Sequence, residues 1–326
     1  MAFLTIFRCT ALLGSIALLM PGPAAAQVDA YPNKPVTLVV AYPPGGSTDL
    51  TGRTLAIELS KKLGVPVVIE NIGGAAGAIG AQKVANAAPD GYTLLVGANN
   101  EVAINRLVSA SVKYDIKDFT PLGLIASQPL VLVASQKSGV KNVGQFLSLV
   151  KQNPGKFSYG SSGVGSSLHL AGEMVKDQAG LFMTHIPYRG VAPLTNDLLG
   201  GNIDFGVYVL SSALPFIRSG KLVALGTTER KRSAVTQEIP ALAETPQLKG
   251  IDIGTWYVLM GPAHLPAPVA ARLKKALGDS LQSPELRKKL EDASSTIAPP
   301  GVDMDRFLNT EMAKYKKIVD FARITE

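Results

Sequence analysis

Cysteine is almost missing from this chain: its 326 residues hold one, Cys9. That residue falls in an N-terminal segment that reads as a removable export signal. The mature chain is therefore expected to have no disulfide, no catalytic thiol and no thiolate metal site. A thiol-free exported chain fits an oxidising bacterial periplasm. Histidine occurs three times, at His169, His185 and His264, with no carboxylate at metal-ligand spacing, so there is no zinc or iron signature. Aromatic residues make up 6% and tryptophan occurs once. The basic clusters (Lys61-Lys62, Arg230-Lys231-Arg232, Arg287-Lys288-Lys289, Lys316-Lys317) are short, with no aromatics interleaved, and read as solvated faces. Nothing there matches a nucleic-acid-binding pattern. No phosphate loop G-x-x-x-x-G-K-[ST] exists, because neither the turn at Gly45-Gly46 nor that at Gly160 to Gly165 is followed by lysine. Gly74, Gly77 and Gly80 are spaced G-x-x-G-x-x-G, which suits close helix packing rather than a dinucleotide. A G-x-S-x-G nucleophile elbow is also missing. Neither cofactor nor metal is expected.

What the chain does hold is apolar mass and punctuation. Apolar residues make up 46%, enough for a large core across two domains, and charged residues only 17%. Glycine (32) and proline (22) are frequent, as in a fold with many strand–helix junctions. The net charge of +7 modestly favours anionic ligands. At the N-terminus, Arg8, the short apolar run Ala11 to Met20 and Ala24-Ala25-Ala26 predict a signal peptide over 1–26, cleaved near Ala26. The apolar run is too short to span a bilayer.

Two turns stand out. One reads Tyr42-Pro43-Pro44-Gly45-Gly46-Ser47-Thr48-Asp49, the other Gly160-Ser161-Ser162-Gly163-Val164-Gly165-Ser166-Ser167. Each follows a short apolar strand and opens a helix. A helix N-terminus offers unpaired N–H groups and about half a positive charge. Glycine lets the backbone approach a ligand, and hydroxyls add donors. One such turn is ordinary helix capping; two in one chain point to a clamp for a small anion. Three or four charge-assisted hydrogen bonds of about 1.5–3 kcal/mol each, less ordering costs, reach roughly micromolar affinity. Tyr42, Tyr188, Tyr208 and Trp256 are candidate cleft aromatics, and Arg189 a candidate carboxylate partner. Arg53, one turn into its helix, is expected to find an intramolecular partner.

Periodicity predicts strands at 36–41, 65–70 and 92–98 with helices between them, then a second α/β series from 130 to 227. A lone strand at 256–260 and three closing helices follow. The expected fold is α/β and two-lobed, a mostly parallel sheet flanked by helices in each lobe. The lobes are residues 27–124 plus 254–326, and 125–253, joined by the runs 130–134 and 256–260. The default ligand site is the cleft between them.

At these turns the chain resembles the Bug receptors, the periplasmic solute-binding proteins of tripartite tricarboxylate transporters. Further matching stretches are Asn71 to Gly80, Asp90 to Leu94, Tyr159 to Gly172, His185 to Gly190, Asp197 to Asp204, Ser219 to Leu222 and Gly261-Pro262. The resemblance covers essentially the whole mature chain. It implies a Venus-flytrap (type II) receptor, with a ligand carboxylate held by Pro44 to Asp49 (Pro44, Gly45, Gly46, Ser47, Thr48, Asp49) and by Ser161 to Ser167. It further implies delivery to membrane permease subunits, without chemistry. Many relatives carry an acidic residue beyond the aspartate of G-G-x-x-D, where this chain reaches Tyr208. That departure weighs against an amino-acid ligand and favours a mono- or dicarboxylate. In the turn Gly97-Ala98-Asn99-Asn100-Glu101, where relatives more often have serine and threonine, Asn99 and Asn100 are placed to donate to the distal part of a ligand. The expected protein is a monomeric, non-enzymatic receptor. The alternatives are a periplasmic serine hydrolase or lyase using Ser162 or Ser166 with His169, and a ligand sensor feeding a signalling partner.

Overall fold

The computed structural model describes residues 31–233 and 235–325, so the signal-peptide reading and Cys9 lie outside the described residues. In chain order the elements are β1 (Val36–Val40), α1 (Ser47–Leu63), β2 (Val67–Asn71), α2 (Ala78–Ala85), β3 (Thr93–Ala98) and α3 (Asn105–Val108). Next come β4 (Phe119–Ser135), α4 (Val143–Gln152), β5 (Ser158–Ser161), α5 (Ser167–Ala179), β6 (Thr184–Pro187), α6 (Val191–Gly200), β7 (Phe205–Val209), α7 (Leu210–Arg218) and β8 (Leu222–Thr227). The chain closes with β9 (Gly254–Pro262), α8 (Ala267–Ser280), α9 (Pro284–Asp292), β10 (Thr296–Ile297) and α10 (Met304–Ala322).

The strands lie in the order β2-β1-β3-β9-β4-β7-β5-β6, with β10 and β8 also paired to β4. Each half repeats one plan. In the first, β1 is flanked by β2 and β3, all parallel; in the second, β5 is flanked by β6 and β7, all parallel. The parallel character expected from the sequence holds for these outer trios. The centre is antiparallel, because β9 pairs β3 and β4, and β4 pairs β7 and β8, with reversed direction.

Strand β4 makes the molecule two-lobed. Its residues 119–129 pair with β9, and its residues 130–135 pair with β7 and β8. The segment 121–129 therefore is not the break in structure that its composition suggests. Pro121 and Pro129 are both accommodated in a continuous strand, with register irregularities near Pro121 and Leu124. Of the two expected linking runs, 130–134 lies wholly in the second sheet and 256–260 wholly in the first. The chain crosses at Pro129 and again between β8 and β9. Gln128 sits at the first crossing, 1% exposed. It donates to Ala293 O at 3.0 Å and Ser295 Oγ at 2.7 Å. Its Oε1 accepts from Ser211 Oγ at 3.0 Å and Tyr257 Oη at 3.2 Å, so both halves are tied to it.

Local signals explain the elements. α1 ends where Gly64 turns left-handed and donates to Ser60 O. α5 starts at its cap Ser166, whose hydroxyl accepts from the His169 amide, and stops at Gly180. Gly80 has no room for a side chain: a Cβ there would come within 2.8 Å of both Ala41 Cα and Ile72 O. That close approach is the packing role expected of the small-residue run. In the second half, Phe146 and Phe205 meet edge to face at 4.8 Å, worth about 1 kcal/mol beyond burial.

Candidate functional site

Both glycine turns occupy equivalent places in the two halves. From β1 the chain goes to β2 on one side and then to β3 on the other; from β5 it goes to β6 and then to β7. The C-terminal ends of β1 and β5 are thus topological switch points, where open α/β sheets bind ligands. The turn 42–46 leaves β1 and the turn 162–166 leaves β5.

The first turn is built around Asp49. This carboxylate is 4% exposed. It accepts from the Gly45 amide at 2.9 Å, Arg53 Nε at 2.9 Å and Asn71 Nδ2 at 2.8 Å. Burial alone would raise its pKa; the hydrogen bonds from Arg53, Gly45 and Asn71 outweigh that and hold it below the ordinary carboxylate value. Asp49 and Gly45, expected as ligand contacts, are therefore spent on holding the loop. Gly45 has φ +93°, which few side chains tolerate. Arg53 has the intramolecular partner expected of it. What the turn leaves open is the helix end itself. Gly46 is the N-cap and no side chain caps α1, so the first-turn amides, from Ser47 and Thr48 onward, have no intrahelical acceptor. Pro44, Gly45 and Gly46 are exposed, Ser47 half-buried and Thr48 buried.

Tyr42 does not offer its hydroxyl outward. It donates to Glu101 Oε2 at 2.6 Å and Ala76 O at 3.3 Å. Glu101 is 1% exposed and also accepts from the Ala98 amide. Burial pushes its pKa up to about 7, against the lowering effect of those hydrogen bonds. Beneath the turn, Ala75 and Ala76 hold φ of +46° and +48°, a strained backbone of the kind stored near functional sites.

The second turn is more self-contained. The Ser161 hydroxyl donates to Gly163 O at 3.0 Å, accepts from the Gly163 amide at 3.2 Å and meets His185 Nε2 at 2.7 Å. Ser166 donates to Gly163 O at 2.8 Å and accepts from the His169 amide at 3.2 Å. Gly165 donates its amide to His169 Nδ1 at 3.2 Å. The Ser161, Gly165 and Ser166 groups expected to face a ligand therefore brace the turn. Ser162, Gly163 and Val164 remain half-buried at its tip. Of the groups named in the hydrolase alternative, His169 Nδ1 and the Ser166 hydroxyl are both engaged with the turn's own backbone.

Behind the turn, His169 and His185 stack at 3.8 Å with 9° between their planes. Burial, reinforced by Lys176, lowers His169 to about 4, with Glu173 opposing. Burial, His169 and Lys176 lower His185 to about 3. Both rings are neutral at pH 7, and protonating His169 at Nδ1 sets a donor against the Gly165 amide. Depressed folded-state histidines contribute stability above about pH 6.5 that is lost as pH falls through their folded values. Glu101 has the opposite sign: its proton is held in the folded state down from about 7, so its contribution fades as pH rises. Glu229, which burial also raises, acts in the same direction as Glu101, so the two histidines keep the slope between about pH 6.5 and 4.5 positive but below roughly 1 kcal/mol per pH unit. Chemical denaturation at stepped pH is expected to show stability highest near 6.5–7 and falling toward 4.5; a flat profile over that range would refute the buried neutral pair.

Four more expected contacts are redirected. Asn99 is fully buried: it donates to Gly254 O at 2.9 Å and Tyr315 Oη at 3.0 Å, and accepts from Thr255 Oγ1 at 2.9 Å. Tyr188 donates to Asp197 Oδ2 at 2.8 Å. Tyr208 is fully buried among Leu194, Leu198 and Ile203 of the second core, its hydroxyl unpartnered; β-strand alternation turns it inward. Trp256 is 3% exposed and donates to Glu311 Oε2 and Tyr315 Oη, both at 3.0 Å. Arg189 is exposed and makes no ion pair among the described residues.

Beyond Gln128 and the packing of α10 on α5, the halves also meet at the segment after β3. Asn100–Ile104 winds as a π-helical turn after β3, a feature often found at functional sites. Asn100 Oδ1 accepts from the Ser167 amide, the first of α5, at 2.9 Å. Val108 packs against Gly165, where a Cβ would come within 2.6 Å of Val108 Cγ2. Val108 was missed at the sequence level, as was Asn71; nothing in spacing marks an aliphatic residue as the neighbour of a distant glycine. Among the described residues no group of three or more His, Cys, Asp or Glu is gathered for a metal.

This architecture is that of a two-lobed periplasmic binding protein. Residues 51–323 match the model of the tripartite tricarboxylate transporter family receptor, and the chain belongs to that family of Bug receptors. Similar solved structures include these three. The periplasmic binding protein BugD is 30% identical, with TM-score 0.81, over 90% of this chain and 99% of its own. Rpa4515 of R. palustris, solved with adipate, is 32% identical, with TM-score 0.84, over 90% and 99%. MatC of Rhodopseudomonas palustris, with bound malate, is 28% identical, with TM-score 0.80, over 89% and 100%.

Proposed function

We propose that this chain is an exported receptor that captures a small organic mono- or dicarboxylate between its lobes and delivers it to the membrane permease of a tripartite transporter. The expected lobes, residues 27–124 plus 254–326 and 125–253, are adjusted so that 125–129, paired with β9, belong to the first; closure bends the chain near Gln128 and the 228–254 return. It works as a monomer, after removal of residues 1–26 on export to the periplasm.

The carrying observation is the α1 N-terminus, at a switch point and without a capping side chain. A carboxylate meeting the Ser47 and Thr48 amides completes the cap that the sequence leaves out. Pro44 and Gly46 shape its rim. Across the cleft, Ser162, Gly163 and Val164 close the other side, with Arg189 near the mouth. Adipate and malate in the two relatives support the ligand class.

A thermal-melting screen of dicarboxylates and their diamides tests this. Saturation at about a hundred times Kd adds about 2.7 kcal/mol, a shift of roughly 5 °C. The diamides, lacking charge, are expected to give none, and ester analogues to survive intact. Equal shifts from acids and diamides would refute anion capture; ester turnover would refute a purely binding role.

A further inference from the structure

We propose that Asn100 is a built-in stand-in for the ligand's carboxylate: its side-chain oxygen holds the two halves together when no ligand is bound, and an incoming carboxylate displaces it. The proposal rests on the reading of the chain as a carboxylate receptor.

Of the first amides of α5, that of His169 is taken by the Ser166 cap and that of Ser167 by Asn100 from the opposite half. The two capping events differ in kind. Ser166 is local and survives any movement of the lobes, whereas the Asn100 bond exists only while the halves are close. An amide oxygen is the uncharged counterpart of a carboxylate oxygen, so it fills the same helix end with a weaker bond. Charge-assisted bonds of this type are roughly twice as strong. Exchange of Asn100 for a carboxylate is therefore downhill, while exchange for a neutral solute gains little.

The backbone around Asn100 supports a movable side chain on a fixed base. Asn99 on one side is locked by Gly254, Thr255 and Tyr315, and Glu101 on the other by Ala98 and Tyr42. Asn100 itself is half-buried. A fixed stem that reaches across with one side chain suits a contact that must release without unfolding its own turn. Displacement also gives the receptor a discriminating step: a ligand must do better than an amide oxygen to stay.

The test compares wild type, Asn100→Ala and Asn100→Asp. Small-angle scattering of the unliganded proteins is combined with calorimetric titration of adipate and malate. Asn100→Ala is expected to expand the unliganded protein and to raise carboxylate affinity about fivefold, the equivalent of one ordinary hydrogen bond of about 1 kcal/mol. Asn100→Asp is expected to keep the unliganded protein compact and to lower affinity at least tenfold, because its own charge takes the Ser167 amide. Unchanged scattering with unchanged or weakened binding in Asn100→Ala would overturn the proposal, since it makes Asn100 a bystander or a direct ligand contact. If wild type binds neither acid, the carboxylate reading fails, and scattering alone decides the stand-in: a more compact Asp than Ala variant supports it, identical profiles overturn it.

Discussion

Replacing Asp49 with alanine is expected to cost about 3 kcal/mol of stability and most of the ligand affinity. The carboxylate accepts from the Gly45 amide, Arg53 Nε and Asn71 Nδ2. Hydrogen bonds to a charged group contribute about 1.5–3 kcal/mol each, and a buried partner left unpaired adds its own desolvation cost. Half of the Arg53 side chain stays in water, which trims its share. Without the Asp49 anchor, Gly45 loses the bond that holds its left-handed turn, and the Gly46 end of α1 no longer points its amides at one spot. Asn71 also donates to Tyr42 O at 3.0 Å, so the disturbance reaches the strand end. Denaturant unfolding reads the first effect and calorimetric titration of adipate or malate the second. A variant with wild-type affinity would show that the turn's geometry does not matter to binding.

The second large effect is expected from Gly165→Ala, and its rescue is the informative part. Gly165 has φ +71°, so alanine there pays about 1–2 kcal/mol of backbone strain in any conformation. The added Cβ would also lie 2.6 Å from Val108 Cγ2, and Val108 belongs to the opposite half. The steric part therefore falls only on the closed arrangement. Ligand affinity is expected to drop at least tenfold, about 1.4 kcal/mol. Val108→Ala in the same chain removes the obstruction but not the strain. Affinity is then expected to recover while stability stays low, a coupling of about 1 kcal/mol or more in a double-mutant cycle. Purely additive effects on affinity would mean that the halves do not need this contact to hold ligand.

How far the sequence could be read divides along a physical line. Strand ends, glycine turns and helix stops were legible because local chemistry sets them: Gly64 and Gly180 terminate helices, Ser166 caps one, and both turns sit where the chain switches side. The continuity of β4 through Pro121 and Pro129 was not, since proline argues against a central strand; a register irregularity accommodates Pro121, and Pro129 sits where β4 passes from one sheet to the other. α7 was missed because Pro215 interrupts its helical pattern. Within the site, residue type pointed to the right loops but not to the right atoms. Asn99 and Asn100 are neighbours of identical chemistry, yet one is locked beside β9 and the other reaches α5. Asp49, Ser161, Ser166, Tyr42 and Tyr208 carry polar groups that suit a ligand equally well on paper. Three-dimensional neighbours claim four of them, and burial alone claims Tyr208. Backbone amides, the groups on which the reading rests, leave no mark in a sequence beyond the glycines beside them.

A crystal structure of the protein grown with adipate or malate tests that reading most directly. The account predicts a carboxylate oxygen about 2.7–3.2 Å from the Ser47 or Thr48 amide, with the tip of the 162–164 turn closing over it. A ligand bound elsewhere, with the α1 amides facing water, would contradict it.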